Sequence, residues 1–580
     1  MQDQQVFNNP QEIFDAYAQR MAEWTQGVPG AVLQEMGREF MQAWNDVSLQ
    51  SLESPQKWME MAAKYQRDQM NLWLSVFGLQ EADAEHAIAP QRGDRRFTGK
   101  EWRENPVFNY LKQSYLLASN VLLEIADNTH LDEQEKKKLR FFTRQFVDVL
   151  SPSNFAATNP EVIQHAIETN GQSLVDGLKN LIGDIDKGRI SITDESVFKL
   201  GENIATMPGA IVFENELLQL IQYQPSTEKV SNRPLVIIPP FINKFYILDL
   251  QPENSFVRYA LDQGSTVFMI SWVNPGRDHS DLSWDDYIET GVFKAFEVAK
   301  TITRAQQINT VAWCVGGTLL ASALAVLQAR KNTFVGSATF LTTLLDFSEP
   351  GELGVFIDET QVAQREKYVQ QTGMLPGKDL ALIFSLLRAN DLIWTYVVNN
   401  YLKGHQPTPF DLLYWNSDPT NLPANLYVSY IQDMYLENKL VRADALTFCA
   451  EKIDLRKIDT PCYFLSTMED HIAPWVATFK ALKLFPGPVE FALGASGHIA
   501  GVINPPSKNK RHYWINGDRD ENPQHWLETA EQAPGSWWPH WDKWLKAQGG
   551  SQKKAPKGLG NAKYKPIEPA PGRYVMERSD

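Results

Sequence analysis

Six short apolar runs in the last two-thirds of the chain restrict its possible folds more than any other feature. They read PLVIIPP, TVFMISW, INTVAWC, GSATFLTT, CYFLSTM and VEFALG. Each is bounded by turn-forming or polar residues, and segments of helical period lie between them, among them DDYIETGVFKAFEVAKTIT and GGTLLASALAVLQARK. An apolar run without alternation is the pattern of a strand buried on both faces, and strands separated by helices pair in parallel. The runs therefore predict a doubly wound α/β domain over about residues 196–580.

The preceding residues, 1–195, read as a helical domain. Apolar positions recur at three- and four-residue steps in FDAYAQRMAEW, KWMEMAAKYQRDQMNLWLSVF and YLKQSYLLASNVLLEIA. The polar stretch EADAEHAIAPQRGDRRFTGKEW separates two of these blocks as an extended surface connection. Between GSATFLTT and CYFLSTM lie more than a hundred residues of helical and irregular texture. An insertion of that length predicts a cap over an active site, placed at about 325–440. The last stretch, about 550–580, is rich in Pro, Gly and Lys and reads as a tail.

Bulk properties exclude several functions. A formal charge of −15 argues against general nucleic-acid binding, which needs clustered Lys and Arg. The three cysteines, Cys314, Cys449 and Cys462, are odd in number and irregularly spaced, so they predict neither a disulfide framework nor a metal ligand set. Free cysteines suit a reducing cytoplasm. No signal peptide is expected in MQDQQVFNNPQEIFDAYAQRM, and no apolar run is long enough to predict a membrane span. Trp537, Trp538, Trp541 and Trp544 form a late cluster. They fit either core packing or an amphipathic surface that meets a polymer or lipid.

The chemistry centres on INTVAWCVGGTLLASALAVL, where an expected strand passes into a helix at Cys314. A nucleophile elbow needs a sharp turn with small neighbours, and Gly316 and Gly317 supply them, with Ala312 standing where the usual pattern has glycine. Two later strand ends present Asp470, in MEDHIAPW, and His498, in ASGHIAGVINPP. Nucleophile, acid and histidine then follow the chain order of α/β-hydrolases. In such a triad His498 takes the thiol proton and Asp470 orients His498. The oxyanion donors would be the N–H of Val315 and that of Phe241 or Ile242 in the loop after the first buried strand.

These residues, with PPFINKFYILDLQPENSFVRYALDQGSTVFMISWVNPG, TTLLDFSEPGELGVFI, SLLRANDLIWTYVVNNYLKG and DLLYWNSDPTNLP, resemble the class I polyhydroxyalkanoate synthases over roughly residues 95–545. The resemblance implies an α/β-hydrolase fold with a helical cap. It implies an acyltransferase that polymerises (R)-3-hydroxyacyl-CoA into polyester through an acyl-Cys314 intermediate, with release of CoA. No cofactor or metal is implied, because coenzyme A is part of the substrate. Arg388, His471 and Asn243 are implied CoA- or substrate-binding residues, with Asn243 and Lys244 supporting the oxyanion loop; Arg388 could equally pair with Asp391. A cytoplasmic homodimer at polyester granules, alongside phasin-type proteins, is the implied setting. Two rivals share parts of the pattern: a thioesterase or depolymerase of the same fold, and a non-enzymatic granule protein on a retired scaffold. The cysteine nucleophile argues against the first and the intact triad against the second.

Overall fold

The computed structural model describes residues 41, 44–45, 55–77, 88–91, 93–519 and 522–579. The expected helix over FDAYAQRMAEW lies outside these. The described chain forms two compact units. One takes the residues up to Asp194 together with Leu382–Pro409, and the other takes Glu195–Ala381 with the residues from Phe410 onward.

The first unit is helical, and its helices start where the sequence supplies caps. They are α1 (Pro55–Val76), α2 (Pro106–Asp127), α3 (Glu133–Val149), α4 (Pro160–Glu168) and α5 (Gln172–Lys187). Asn105, Asp132 and Asn159 accept first-turn N–H groups of α2, α3 and α4, and proline opens α2 and α4. The connection read as an extended surface segment is anchored over its later part. Trp102 is fully buried, its ring edge-on to Phe97 at 5.0 Å. Arg96 binds Asp94 at 2.9 Å and Asp148 at 3.1 Å, which offsets the cost of burying its guanidinium.

The second unit is built on an eleven-stranded sheet. Its strands are β1 (Gly209–Glu214), β2 (Leu218–Tyr223), β3 (Leu235–Ile238), β4 (Val267–Trp272), β5 (Ile308–Trp313) and β6 (Val335–Leu341). After the insertion come β7 (Cys462–Thr467), β8 (Val489–Gly494), β9 (His512–Ile515), β10 (Glu531–Pro534) and β11 (Glu568–Pro569). The order is β10-β9-β8-β7-β6-β5-β3-β4-β2-β1-β11. The six apolar runs are the six parallel strands, β4-β3-β5-β6-β7-β8. The flanking strands are antiparallel. Helices α6 (Lys294–Thr303), α7 (Val315–Ala329), α8 (Trp475–Ala481) and α9 (Trp538–Gln548) belong to this unit.

Three expectations need correction. The insertion does not start at 325, because residues up to Ala329 finish α7 and Val335–Leu341 is a central strand, the helix and run that the sequence itself marks before the insertion. Within it, Leu382–Pro409 groups with the helical unit, where Asn180 donates to the Asn400 carbonyl at 2.9 Å and Tyr401 to Asp184 at 2.8 Å. The tail is part of the second fold: Glu568–Pro569 pairs with β1, and Val575 is 1% exposed.

The tryptophan cluster is core, not a contact surface. Trp537, Trp538 and Trp541 are all buried. Trp541 Nε1 donates to Thr339 Oγ1 at 3.0 Å, and the Trp537 and Trp538 indoles donate to the carbonyls of Gly501 and Val502. Among the described residues, no single helix is long and apolar enough to cross a membrane. Replacing Trp541 with alanine should cost about 3–5 kcal/mol in urea unfolding. A cost below about 1 kcal/mol would contradict a core role.

Candidate active site

Strand β5 stops at Trp313 and α7 starts at Val315, so Cys314 alone makes the turn between them, at φ 53° and ψ −127°. Its N–H donates to the Leu341 carbonyl at 2.9 Å, and its own carbonyl accepts from the Gly317 N–H at 2.8 Å. The two glycines are required by space. A Cβ on Gly316 would lie 2.6 Å from the Ile238 carbonyl oxygen, and one on Gly317 would lie 2.0 Å from Thr343 Oγ1. The same close approach sets the loop after β3 against the first turn of α7. Val315 there carries one of the N–H groups that a helix start cannot pair internally.

Asp470 comes after β7 and His498 after β8. The Asp470 carboxylate is held from its own loop, Oδ1 accepting from the Ile472 and Ala473 N–H groups at 2.9 Å each. Its Oδ2 lies 2.7 Å from His498 Nδ1. The loop carrying His498 is fastened further on, since the Trp537 and Trp538 indoles bind the Gly501 and Val502 carbonyls. Cys314 is half-buried, and its sulfur lies close enough to His498 to act on the imidazole. Burial alone would lower the imidazole, but the Asp470 carboxylate and the Cys314 sulfur outweigh it and push His498 up to about 10. The three residues named from the sequence thus meet in one site, with the histidine inclined to hold a proton near neutrality.

The other sequence-named residues occupy varied positions. Phe241 is buried among Trp272, Trp284 and Tyr287, with Tyr287 at 5.0 Å. The Ile242 carbonyl accepts from the Thr420 N–H at 3.1 Å, and Asn243 bridges to Pro419. His471 is half-buried beside Asp470. Arg388 lies in the helical unit, its Nε 3.6 Å from Asp391 Oδ2, so the ion pair weighed in the sequence is present. Lys244 turns away from the loop toward the C-terminal segment, donating to the Val575 carbonyl at 3.3 Å.

Two residues escaped the sequence reading. Tyr430 and Tyr435 lie on the π-helical stretch Tyr430–Leu436 of the insertion, with ring centroids 5.2 Å apart. Both lie near Cys314, and burial pushes both phenols up. A five-residue spacing falls on different faces of an α-helix, whereas i→i+5 bonding brings it onto one. Aromatics in YIQDMYLE were the available signal, but reading them needed the π-turn. Among the described residues, no group of three or more His, Cys, Asp or Glu is arranged to hold a metal ion.

A parallel sheet with the thiol turn after β5, the acid after β7 and the histidine after β8 defines the α/β-hydrolase class. The model of the alpha/beta hydrolase fold matches residues 233–505, and that of the poly-beta-hydroxybutyrate polymerase (PhaC) N-terminus matches residues 93–260. The poly(3-hydroxyalkanoate) polymerase subunit PhaC of Cupriavidus necator is 48% identical over 531 residues, spanning 91% of this chain and 89% of that protein. The corresponding subunit of Rhizobium etli is 44% identical, spanning 84% and 77%. Poly(3-hydroxyalkanoate) polymerase 1 of Ectopseudomonas oleovorans is 37% identical, spanning 85% and 88%. The chain belongs to the poly(3-hydroxyalkanoate) polymerase family.

The raised His498 has a consequence for stability. Its folded value of about 10 lies above the ordinary imidazole value near 6.5, so the stabilisation is complete below about pH 6.5 and fades as pH rises toward 10. Asp470→Asn should therefore cost of order 3 kcal/mol at pH 6, and the gap to wild type should narrow by pH 10. Denaturant unfolding of both proteins at pH 6, 8 and 10 measures it. A gap constant across that range would mean that the folded imidazole carries no proton.

Proposed function

We propose that the protein polymerises (R)-3-hydroxyacyl groups from their CoA thioesters into polyhydroxyalkanoate, with Cys314 as acyl carrier. The observation that carries the reading is the meeting of Cys314, His498 and Asp470 at the strand ends of a chain belonging to this family. The Cys314 thiolate attacks the thioester carbonyl, and the N–H groups of Val315 and of Phe241 or Ile242 receive the oxyanion. The C–S bond to CoA breaks, and the proton held on His498 goes to the departing CoA thiolate. The hydroxyl of a second unit then gives its proton to the carboxylate–imidazole pair and attacks the acyl-cysteine. An ester bond forms and the Cys314 thiolate is released. Exchange between thiol and thioester is nearly balanced, whereas thioester to ester is downhill, so the substrate supplies the driving force.

No cofactor enters these steps beyond the CoA that the substrate carries. Family resemblance supports the rest of the setting: a cytoplasmic homodimer at the surface of its own polyester granule, beside phasin-type proteins. Arg388, His471 and Asn243 remain our assignments for CoA or substrate contact on the same ground.

With (R)-3-hydroxybutyryl-CoA, the wild type should release free thiol and leave an insoluble, high-mass polyester. Cys314→Ala should lower both by at least about 10⁴-fold, as expected for loss of a nucleophile. Thiol release accompanied only by free 3-hydroxybutyrate would identify a thioesterase instead. Polymer made by Cys314→Ala would remove Cys314 from the mechanism.

A further inference from the structure

Residues 239–244 run from the end of β3 to the 3₁₀ turn Phe245–Leu248 and carry the N–H groups proposed to face Val315. Two contacts fix the near part of this loop. Trp272 Nε1 donates to the Pro239 carbonyl at 3.1 Å, and the Thr420 N–H donates to that of Ile242 at 3.1 Å. Its far end is fixed by a buried cation.

Lys244 is 4% exposed. Burial pushes its ammonium below the usual lysine range, and the carboxylates of Asp418 and Glu577 push back. Its Nζ donates to the main-chain carbonyls of Val575 and Glu577. Its own carbonyl accepts from Trp415 Nε1 at 2.7 Å. The segment supplying those two carbonyls is secured separately. Glu568–Pro569 pairs with β1, the Tyr574 N–H donates to Gln219 Oε1 at 3.1 Å, and the Tyr574 hydroxyl donates to the Asn215 carbonyl at 2.8 Å. Arg578 lies 3.4 Å from Glu195.

A buried ammonium is costly to leave without acceptors, so the loop and this segment must take up their positions together. We propose that Lys244 and residues 573–578 form a latch that positions the 239–244 loop, and with it the second oxyanion donor, for acyl transfer. The inference rests on the acyl-transfer reading above. Lys244 is a positioning residue in it, acting through Phe241 and Ile242, and the C-terminal segment serves the site without contributing a reacting group.

The test uses the full-length protein, Lys244→Met, a chain ended after Gly572, and the two changes combined. Two reactions of Cys314 are compared: the acylation burst with p-nitrophenyl butyrate, which passes through an oxyanion, and alkylation by iodoacetamide, which does not. Lys244→Met should slow acylation by roughly 10- to 100-fold, with KM and alkylation within about twofold of wild type. The shortened chain should lose at least as much. Adding Lys244→Met to it should recover about fivefold or more, because no ammonium is then stranded. Unchanged acylation in Lys244→Met, a parallel fall in alkylation, or no recovery in the combined variant would each overturn the latch. Should the shortened chain fail to unfold cooperatively, the full-length Lys244→Met alone decides. A wild type that is acylated by the ester but makes no polymer from (R)-3-hydroxybutyryl-CoA would retire the polymerase reading and leave the latch standing.

Discussion

The site depends on a single backbone turn. At φ 53° and ψ −127°, Cys314 occupies a region that a residue with a side chain enters only at a cost of about 1–3 kcal/mol. The surroundings over-determine the turn. Its N–H is taken by the strand partner β6, its carbonyl by the first turn of α7, and the two glycines Gly316 and Gly317 leave no room for a Cβ. Because β5 and α7 abut with one residue between them, the thiol is fixed at the top of the sheet and cannot be adjusted to suit its partners. The acid and the histidine must be brought to it.

That delivery comes from distant parts of the chain. The Asp470 carboxylate is aimed by two N–H groups of its own loop, a local device. The His498 loop draws instead on Trp537 and Trp538, which are buried for their hydrophobic area and donate their indole N–H groups to the Gly501 and Val502 carbonyls. The late tryptophans therefore join the core of the second unit to the geometry of its site. A surface role for them would have left that loop without its fastening.

The same physics decides which parts of the molecule are legible in the sequence. The six parallel strands are buried over most of their length, so each reads as a short apolar-rich run and all six are recognisable. The antiparallel flanks are not, since HYWI is only half-buried and EQAP is mostly exposed, and neither carries a continuous apolar signal. The order of Cys314, Asp470 and His498 was legible because each closes a legible strand. The limits of the insertion were not. The 325 limit cut into α7 and past a strand, both read as such, and the joining of Leu382–Pro409 to the helical unit depends on contacts distant in sequence, such as Asn180 with Asn400. Tyr430 and Tyr435 stayed hidden behind a π-turn, whose period no α-helical template anticipates.

The triad by itself does not separate polymer growth from hydrolysis, since water and a 3-hydroxyl are rival nucleophiles for the same acyl-cysteine. The discrimination has to come from the groups around the thiol. Tyr430 packs against Trp284 at 5.8 Å and Tyr435 against Phe347 at 4.8 Å. Trp284 and Phe347 are buried, and burial dominates the upward push on both tyrosine hydroxyls, so the side of the site built by the insertion is aromatic and largely apolar. A wall of this kind acts twice. It lowers the local dielectric, which strengthens the pairing of Asp470 with a protonated His498. It also leaves less room for bulk water beside the acyl-cysteine. A hydrolase built on the same sheet needs a path for water to the acyl group. The proposed polymerase needs that path closed, and the aromatic face of the insertion rather than the triad is where the two chemistries part.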